Sequence, residues 1–439
     1  MKVCKFGGSS LADAAQFQKV RAIIDADEQR RYIVVSAPGK RHDGDKKVTD
    51  MLYALHAAAQ HGEDTDALWK EIGARFIAIR DGLGLQTDIE GHIIAIRAEV
   101  LAGAGEDYTV SRGEYLNGIL MADYLGYDFI DPVDTVFFTP EGVYESEKTR
   151  TVMRGRLAHS SRAVVPGFYG SLPDGRVKTF SRGGSDITGA IVARSARAEV
   201  YENWTDVPGF LMADPRIVKT PRPIKVITYQ ELRELSYMGA TVLHEEAIFP
   251  VFKANIPIHI KNTNNPADAG TMIVPNLSDV ESDIITGIAG KKGFTVIAME
   301  KANMNAELGF GRRVLTALEN NGIRFEHMPS GIDTLGVVIA DAEIAGKQPQ
   351  LLDDVYNLCQ PDSLEVFRGM ALIATVGRGM IKRVGVASRI FAALARQAVN
   401  IRMIDQGSSE INIIVGVDER DFERAIHAIY EEFCGDRQP

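Results

Sequence analysis

MKVCKFGGSS opens the chain at residues 1–10. Val3, Cys4, Lys5 and Phe6 read as the end of a short buried strand, and Gly7, Gly8, Ser9 and Ser10 follow at once. A helical pattern starts soon after, with Phe17, Val20 and Ile24 at three- and four-residue spacing. A strand entering a helix through a Gly-Gly turn suits phosphate. Glycines let backbone N–H groups approach an anion, and the helix N-terminus adds partial positive charge. Lys5 can reach the same phosphates as a point charge. The P-loop pattern G-x-x-x-x-G-K-[ST] occurs nowhere in the chain. Alone, the stretch reads first as a tight turn, so the remaining sequence has to decide.

A second glycine pair supplies the decision. Thr179-Phe180-Ser181-Arg182-Gly183-Gly184-Ser185-Asp186 again runs into a helical pattern, carried by Ile187, Ala190 and Ile191. Arg182 can grip a carboxylate or phosphate through two parallel hydrogen bonds, and Ser185 or Asp186 can cap the helix. Two such turns in one α/β domain are expected to face each other across a crevice at the carboxyl ends of the strands. Between them lie strands at 31–37, 127–130 and 162–166, and a helical excursion over 60–105. Thr49 or Asp50 reads as an N-cap, and Ser111-Arg112-Gly113-Glu114 as a capping box or a ligand cluster. After strand 198–203, Thr205 and Asp206 can hold a ribose or base edge and Arg216 a phosphate, or all three are turn residues.

The 439 residues exceed one ordinary core, so two or three domains are expected. The net charge of −10 argues against nucleic acid as a main partner. No apolar run reaches the ~18 residues of a membrane helix, and the immediate strand leaves no room for a signal peptide. Cys4, Cys359 and Cys434 form no disulfide framework or C-x-x-C site, which fits a reducing, cytoplasmic setting. Residues 276–283 read as a linker. Beyond them a repeat of roughly 75–80 residues appears, GIRFEHM (322–328) matching NIRMIDQ (400–406). It reads as two βαββαβ modules, with strands at 323–328 and 399–404, two short strands in 284–300, and an extra strand near 285 that hints at interleaving.

In order along the chain stand KFGGSS (5–10), the 34–50 segment with VSAPGK and KVTD, SRGE (111–114), FSRGGSD (180–186), WTDVPG with DPR (204–216), and MGATVLH (238–244). Together they resemble the aspartate kinases of the amino acid kinase superfamily, and the C-terminal modules resemble their tandem ACT domains. The match looks most like the monofunctional bacterial form, since no dehydrogenase segment follows. The fold implied is α/β: an amino acid kinase-like three-layer αβα domain (1–280), then ACT-like modules at 284–367 and 368–439. The activity implied is ATP-dependent phosphorylation of the aspartate β-carboxylate to 4-phospho-L-aspartate, the first step towards lysine, threonine and methionine. Rival readings are a glutamate-type amino acid kinase and an amino-acid-binding regulatory subunit with weak catalysis.

The resemblance assigns roles motif by motif. Lys5 and Asp186 are catalytic. Lys5, Phe6, Gly7, Gly8, Ser9, Thr205, Asp206, Leu211, Arg216 and Thr241 line the ATP site, with Mg²⁺ carried on the nucleotide. Ser36, Thr49, Glu114, Phe168, Arg182, Gly183, Gly184 and Ser185 hold aspartate. Met304, Gly309, Phe310, Gly311 and Glu326 match positions that bind an effector, lysine and/or threonine. A homodimer or homotetramer through the ACT modules is implied, with no nucleic acid or membrane partner. The sequence departs from the family pattern where Leu211 replaces a frequent Tyr, Thr241 a frequent Lys, and Glu245 a usual Pro.

Overall fold

The computed structural model describes residues 1–181, 183–240, 245–275 and 283–435. These divide into two compact units. The first comprises Met1–Phe210, Pro223–Tyr229 and Thr241–Ser278. The second comprises Leu211–Arg222, Gln230–Ala240 and Asp279–Pro439.

In chain order the first half contributes β1 (Lys2–Phe6), α1 (Ala14–Asp25), β2 (Arg30–Val35), α2 (Val48–Gln60), α3 (Asp66–Leu83), α4 (Ile89–Leu101) and α5 (Glu106–Leu125). Then come β3 (Asp128–Phe129), α6 (Ser146–Ala158), β4 (Ala163–Pro166), β5 (Tyr169–Ser171), β6 (Val177–Thr179), α7 (Gly184–Ala196) and β7 (Val200–Thr205). β8 (Val226–Thr228), α8 (Tyr229–Tyr237), α9 (Glu245–Phe252), β9 (Ile258–Asn262) and β10 (Thr271–Val274) complete it. Eight strands form one sheet in the order β3-β4-β2-β1-β7-β9-β10-β8, parallel except where β9 meets β10. Its central strands are buried on both faces, as a covered parallel sheet requires.

Alternation along β1 explains the layers. Cys4 and Phe6 join a core with Ile33, Val35 and Val164 and the apolar sides of α1 to α5. Lys5 alternates to the opposite face, where α7 packs on β1 and β2. A lysine on that face therefore reaches the first turn of α7. The 60–105 excursion resolves into two helices, α3 and α4, whose buried residues, among them Trp69, Phe76 and Ile96, extend the same core.

The second unit holds β11 (Gly287–Glu300), α10 (Phe310–Asn320), β12 (Thr334–Ala340), α11 (Asp341–Ile344), α12 (Gln348–Cys359) and β13 (Ser363–Val376). α13 (Val386–Arg396), β14 (Ile401–Asp405), β15 (Asn412–Asp418) and α14 (Phe422–Cys434) follow. One antiparallel sheet runs β12-β11-β13-β15-β14.

Several expectations change here. The two short strands of 284–300 are one 14-residue strand, β11, its register broken between Lys291 and Val296. Its first half pairs with 372–376 and its second with 363–370, so the second repeat completes its sheet with a strand from the segment that opens the first. The boundary expected at 367/368 lies inside β13. The expected strand at 323–328 reduces to an isolated bridge, His327 with Val338. Segments 211–222 and 230–240, expected with the kinase domain, pack in the second unit. There Ile288 N–H donates to Met212 O (2.7 Å), and Glu231, buried on α8, accepts from Thr286 Oγ1 (2.6 Å) and Arg378 N–H (2.9 Å). The expected linker falls mostly outside the described residues, as do Arg182 and Thr241.

Candidate functional site

The site of the first unit lies where β1, β2, β4 and β7 end. Lys5 Nζ forms an ion pair with Asp186 Oδ1 at 2.6 Å, and both side chains are largely buried. Asn203 Nδ2, one strand over on β7, donates to the same Oδ1 at 2.8 Å. Asp186 therefore does not cap α7. The N-cap is Gly183, in the left-handed region at φ 79°, and no side chain caps the helix. That backbone leaves Asp186 free to orient the lysine. Ser185 packs under Gly167, where a Cβ would lie 2.6 Å from the serine Cβ, so the turn after β4 and the start of α7 touch.

The first glycine turn is held by its neighbours' main chain. Gly7 N–H donates to Trp204 O at 3.0 Å, and Gly39 N–H to Gly8 O at 2.8 Å. A Cβ on Gly39 would lie 2.5 Å from Gly8 C, and one on Gly8 would lie 2.9 Å from Ala37 O. Only two glycines permit this approach of the β1 and β2 turns. Arg75, on α3, fixes the second turn by donating to Gly39 O (2.6 Å), Lys46 O (3.1 Å) and Asp45 Oδ2 (3.0 Å). A Cβ on Gly7 would stand 3.6 Å from Lys5 Nζ, so the lysine head lies against the turn. A cation beside close-packed glycine amides fits the phosphates of a nucleotide.

Glu114 is buried and lies well inside α5, eight residues past its first. The expected capping box is therefore absent, since Ser111 sits inside the helix with its Oγ donating back to Tyr108 O at 2.7 Å. Gly113 lets α5 pack against Ala37, where a Cβ would meet the Ala37 Cβ at 2.8 Å. Ala37 N–H donates to the Glu114 carboxyl, yet burial pushes its pKa up to about 8, against the opposing pull of Arg112 and Lys5. Its Oε2 has no hydrogen-bond partner among the described residues. Phe168 is held at φ 83°, rare for an aromatic residue, by Thr188 Oγ1 on its N–H (3.0 Å) and by Phe180 N–H on its carbonyl (2.8 Å). Its ring lies at Gly184, where a Cβ would be 2.6 Å from Cδ2.

Thr49 and Asp50 do not cap α2, which starts at Val48 after Lys47. Thr205 Oγ1 bonds Asp206 Oδ1 at 3.1 Å at the end of β7. Leu211 and Arg216 belong to the second unit, and Arg216 is paired with Asp214 at 2.6 Å. Among the effector candidates, Met304 and Phe310 are core residues of the first repeat. Gly309 is the left-handed N-cap of α10 at φ 79°, and Gly311 has open space where a Cβ would be. Glu326 accepts a hydrogen bond from Tyr237 on α8. Sequence reasoning passed over Asn203, Arg75 and Asn117. The signal was available for two of them: Asn203 is polar inside a buried strand, and Asn117 stands one helical turn after Glu114.

Comparison with known proteins follows the same division. Residues 1–262 match the family model for the amino acid kinase family, and residues 373–433 match an ACT domain. Aspartokinase 3 of Bacillus subtilis is 39% identical, covering 99% of this chain and 98% of its own length. The crystal structure of Clostridium acetobutylicum aspartate kinase is 52% identical with a TM-score of 0.93, covering 99% of this chain and 100% of that one. E. coli aspartokinase III in complex with aspartate and ADP is 25% identical with a TM-score of 0.74, covering 98% and 99%. The chain belongs to the amino acid kinase family and, within it, to the aspartokinases.

Proposed function

We infer that this chain transfers the γ-phosphoryl group of ATP to the β-carboxylate of L-aspartate, giving 4-phospho-L-aspartate and ADP. The observation that carries the reading is the buried Lys5–Asp186–Asn203 group at a glycine turn, in one crevice with Glu114, whose Oε2 has no hydrogen-bond partner among the described residues. A kinase acting on an amino acid needs a cation for the moving phosphoryl group and an acid for the substrate ammonium. Both are present.

The β-carboxylate, with a pKa of about 4, is ionised at neutral pH, so no general base is required. One of its oxygens attacks the γ-phosphorus, and the bond to the β,γ-bridging oxygen breaks with its electron pair leaving on ADP. The protein's tasks are alignment and charge neutralisation. Lys5 Nζ, aimed by Asp186, meets the charge spreading over the phosphoryl oxygens. The amides of Gly8 and Ser9 cradle the phosphates, with Phe6 beneath and Gly7 holding the turn through its bond to Trp204 O. Mg²⁺ bound to the nucleotide would neutralise further phosphate charge. Glu114 receives the substrate ammonium, with Ser36, Thr49, Phe168, Gly183, Gly184, Ser185 and Arg182 around the amino acid. Thr205 and Asp206 hold the nucleoside, with Arg216, Leu211 and Thr241 assigned to the nucleotide by resemblance alone.

Feedback by an end-product amino acid at the ACT repeats belongs to the same reading, through Gly309, Gly311 and Glu326. The E. coli aspartokinase III solved with lysine and aspartate supports lysine as the first effector to try. A homodimer or homotetramer paired through the repeats, in the cytoplasm, completes it. All three cysteines are free and buried, as a reducing compartment allows, and no helix among the described residues is long and apolar enough to cross a membrane.

The test is chemical trapping. Purified protein with L-aspartate, ATP and Mg²⁺ is expected to form aspartyl hydroxamate when hydroxylamine is present. Folded protein that yields none, with ATP unconsumed, would mark a binding-only regulatory chain. Hydroxamate from glutamate alone would mark the glutamate-type rival.

A further inference from the structure

We propose that Asn117 is a second acceptor for the α-ammonium group of the amino acid substrate, beside Glu114, and sets the preference for an aminated over a deaminated dicarboxylate. The inference rests on the reading of the site as an aspartate site and adds a residue to it.

Glu114 and Asn117 stand three residues apart on α5, so they share a face with Cβ atoms about 5–6 Å apart. Asn117 is completely buried. Its Nδ2 donates to Ser36 O at 2.7 Å, across the loop that follows β2. A peptide carbonyl only accepts hydrogen bonds. The nitrogen of the amide must therefore face Ser36, and the alternative flip would set two acceptors against each other. Oδ1 is thereby turned away from Ser36, and it has no partner among the described residues. The same holds for Glu114 Oε2. Folded proteins rarely leave buried acceptors unpaired without a reason.

Two orphaned acceptors on one helix face define the missing group. With Glu114 ionised, the form that pairs with substrate, it is a compact donor with several N–H bonds and positive charge. A phosphate offers acceptors only and is repelled by both. An α-ammonium carries three donors in tetrahedral array, one for Oε2, one for Oδ1 and one to spare. Ser36 adjoins the same place, since its carbonyl anchors the amide. Asn117 thus reads the one group that separates aspartate from succinate, which has the same two carboxylates.

The experiment measures L-aspartate and succinate in competition on the full chain, comparing the parent with Asn117→Leu and Asn117→Ser. Both variants also lose the bond to Ser36, so the readout is the ratio of the two affinities, in which that shared loss cancels. The expected result is a ratio of L-aspartate to succinate affinity lowered about tenfold or more, the usual scale of a lost hydrogen bond to a charged group. Equal weakening of both ligands would show Asn117 acting only through Ser36, and unchanged affinities would show its Oδ1 satisfied by water. Either result overturns the proposal. If Asn117→Leu fails to fold, Asn117→Ser, which leaves space rather than apolar bulk, decides. A parent protein that binds no L-aspartate overturns the aspartate kinase reading itself, a distinct failure.

Discussion

Lys5 and Glu114 are both buried at one crevice, and their surroundings treat them differently. Lys5 has its counter-ion in place at 2.6 Å. For Glu114 burial outweighs its backbone hydrogen bonds and the pull of Arg112 and Lys5, so its pKa rises to about 8 and it is largely protonated at neutral pH before substrate binds. Only the ionised form pairs with an ammonium, so binding L-aspartate must release a proton. The aspartate KM is expected to fall as pH rises from about 6 to 8 and then level off, because less work is spent on ionisation. Glu114→Gln should raise KM and flatten that profile, and a slope that survives the substitution would clear Glu114 of the role. Stability gives the opposite sign. The native state holds this proton more tightly than the unfolded chain between about pH 4.3 and 8, so its contribution fades as pH rises through that window. The melting temperature of Glu114→Gln relative to the parent should therefore climb from pH 5 to pH 8.5.

At the scale of elements, the glycine turn after β1 depends on close approach rather than unusual torsion. Gly8 has φ −60°, which any residue adopts, yet a Cβ there would lie 2.9 Å from Ala37 O and 3.2 Å from Gly39 N. The obstructing atoms are main chain and cannot swing aside. Gly8→Ala is expected to lower kcat/KM for ATP by about tenfold or more through misplaced amides, with a lower melting temperature. An active, equally stable variant would mean that the two turns separate easily. Much of this arrangement was legible in the sequence. Strand, Gly-Gly and helix at 2–25 and 177–196 gave the crevice, because a period change around glycine is a local signal. What failed was where local chemistry has two uses. Ser-x-x-Glu at 111–114 has capping-box form, but the apolar pattern of α5 continues through it. The strand expected at 323–328 carries the right residues but lies beyond β12 with only isolated pairing. Arg75 was illegible because its role lies in reaching Gly39, 36 residues away in sequence.

At the scale of the whole molecule, the second unit recruits two segments from the middle of the chain. Met212 packs at Cys434 (Sγ to Sδ 3.8 Å), Arg222 N–H donates to Tyr430 OH (2.9 Å), and Glu234 accepts from Asn412 (2.6 Å). No sequence boundary near 280 announces this, since the segments lie 40–70 residues upstream of it. A fragment ending at 283 therefore keeps Leu211–Arg222 and Gln230–Ala240 but removes the surfaces that cover them. It is expected to aggregate or melt well below the full chain in size-exclusion and thermal denaturation measurements, rather than behave as an uninhibited kinase. A monodisperse fragment with full activity would contradict this packing.

The crossing of β11 and β13 carries a consequence for engineering. Each long strand serves one repeat with its first half and the other with its second. Neither repeat can be excised, duplicated or exchanged with a homologue as a cassette, because every cut divides β13 or takes from the second repeat the half of β11 that pairs with it. A transplant of the ACT repeats to another enzyme must carry both repeats and their two upstream segments as one piece, and chimeras joined at 367/368 should be discarded at the drawing board.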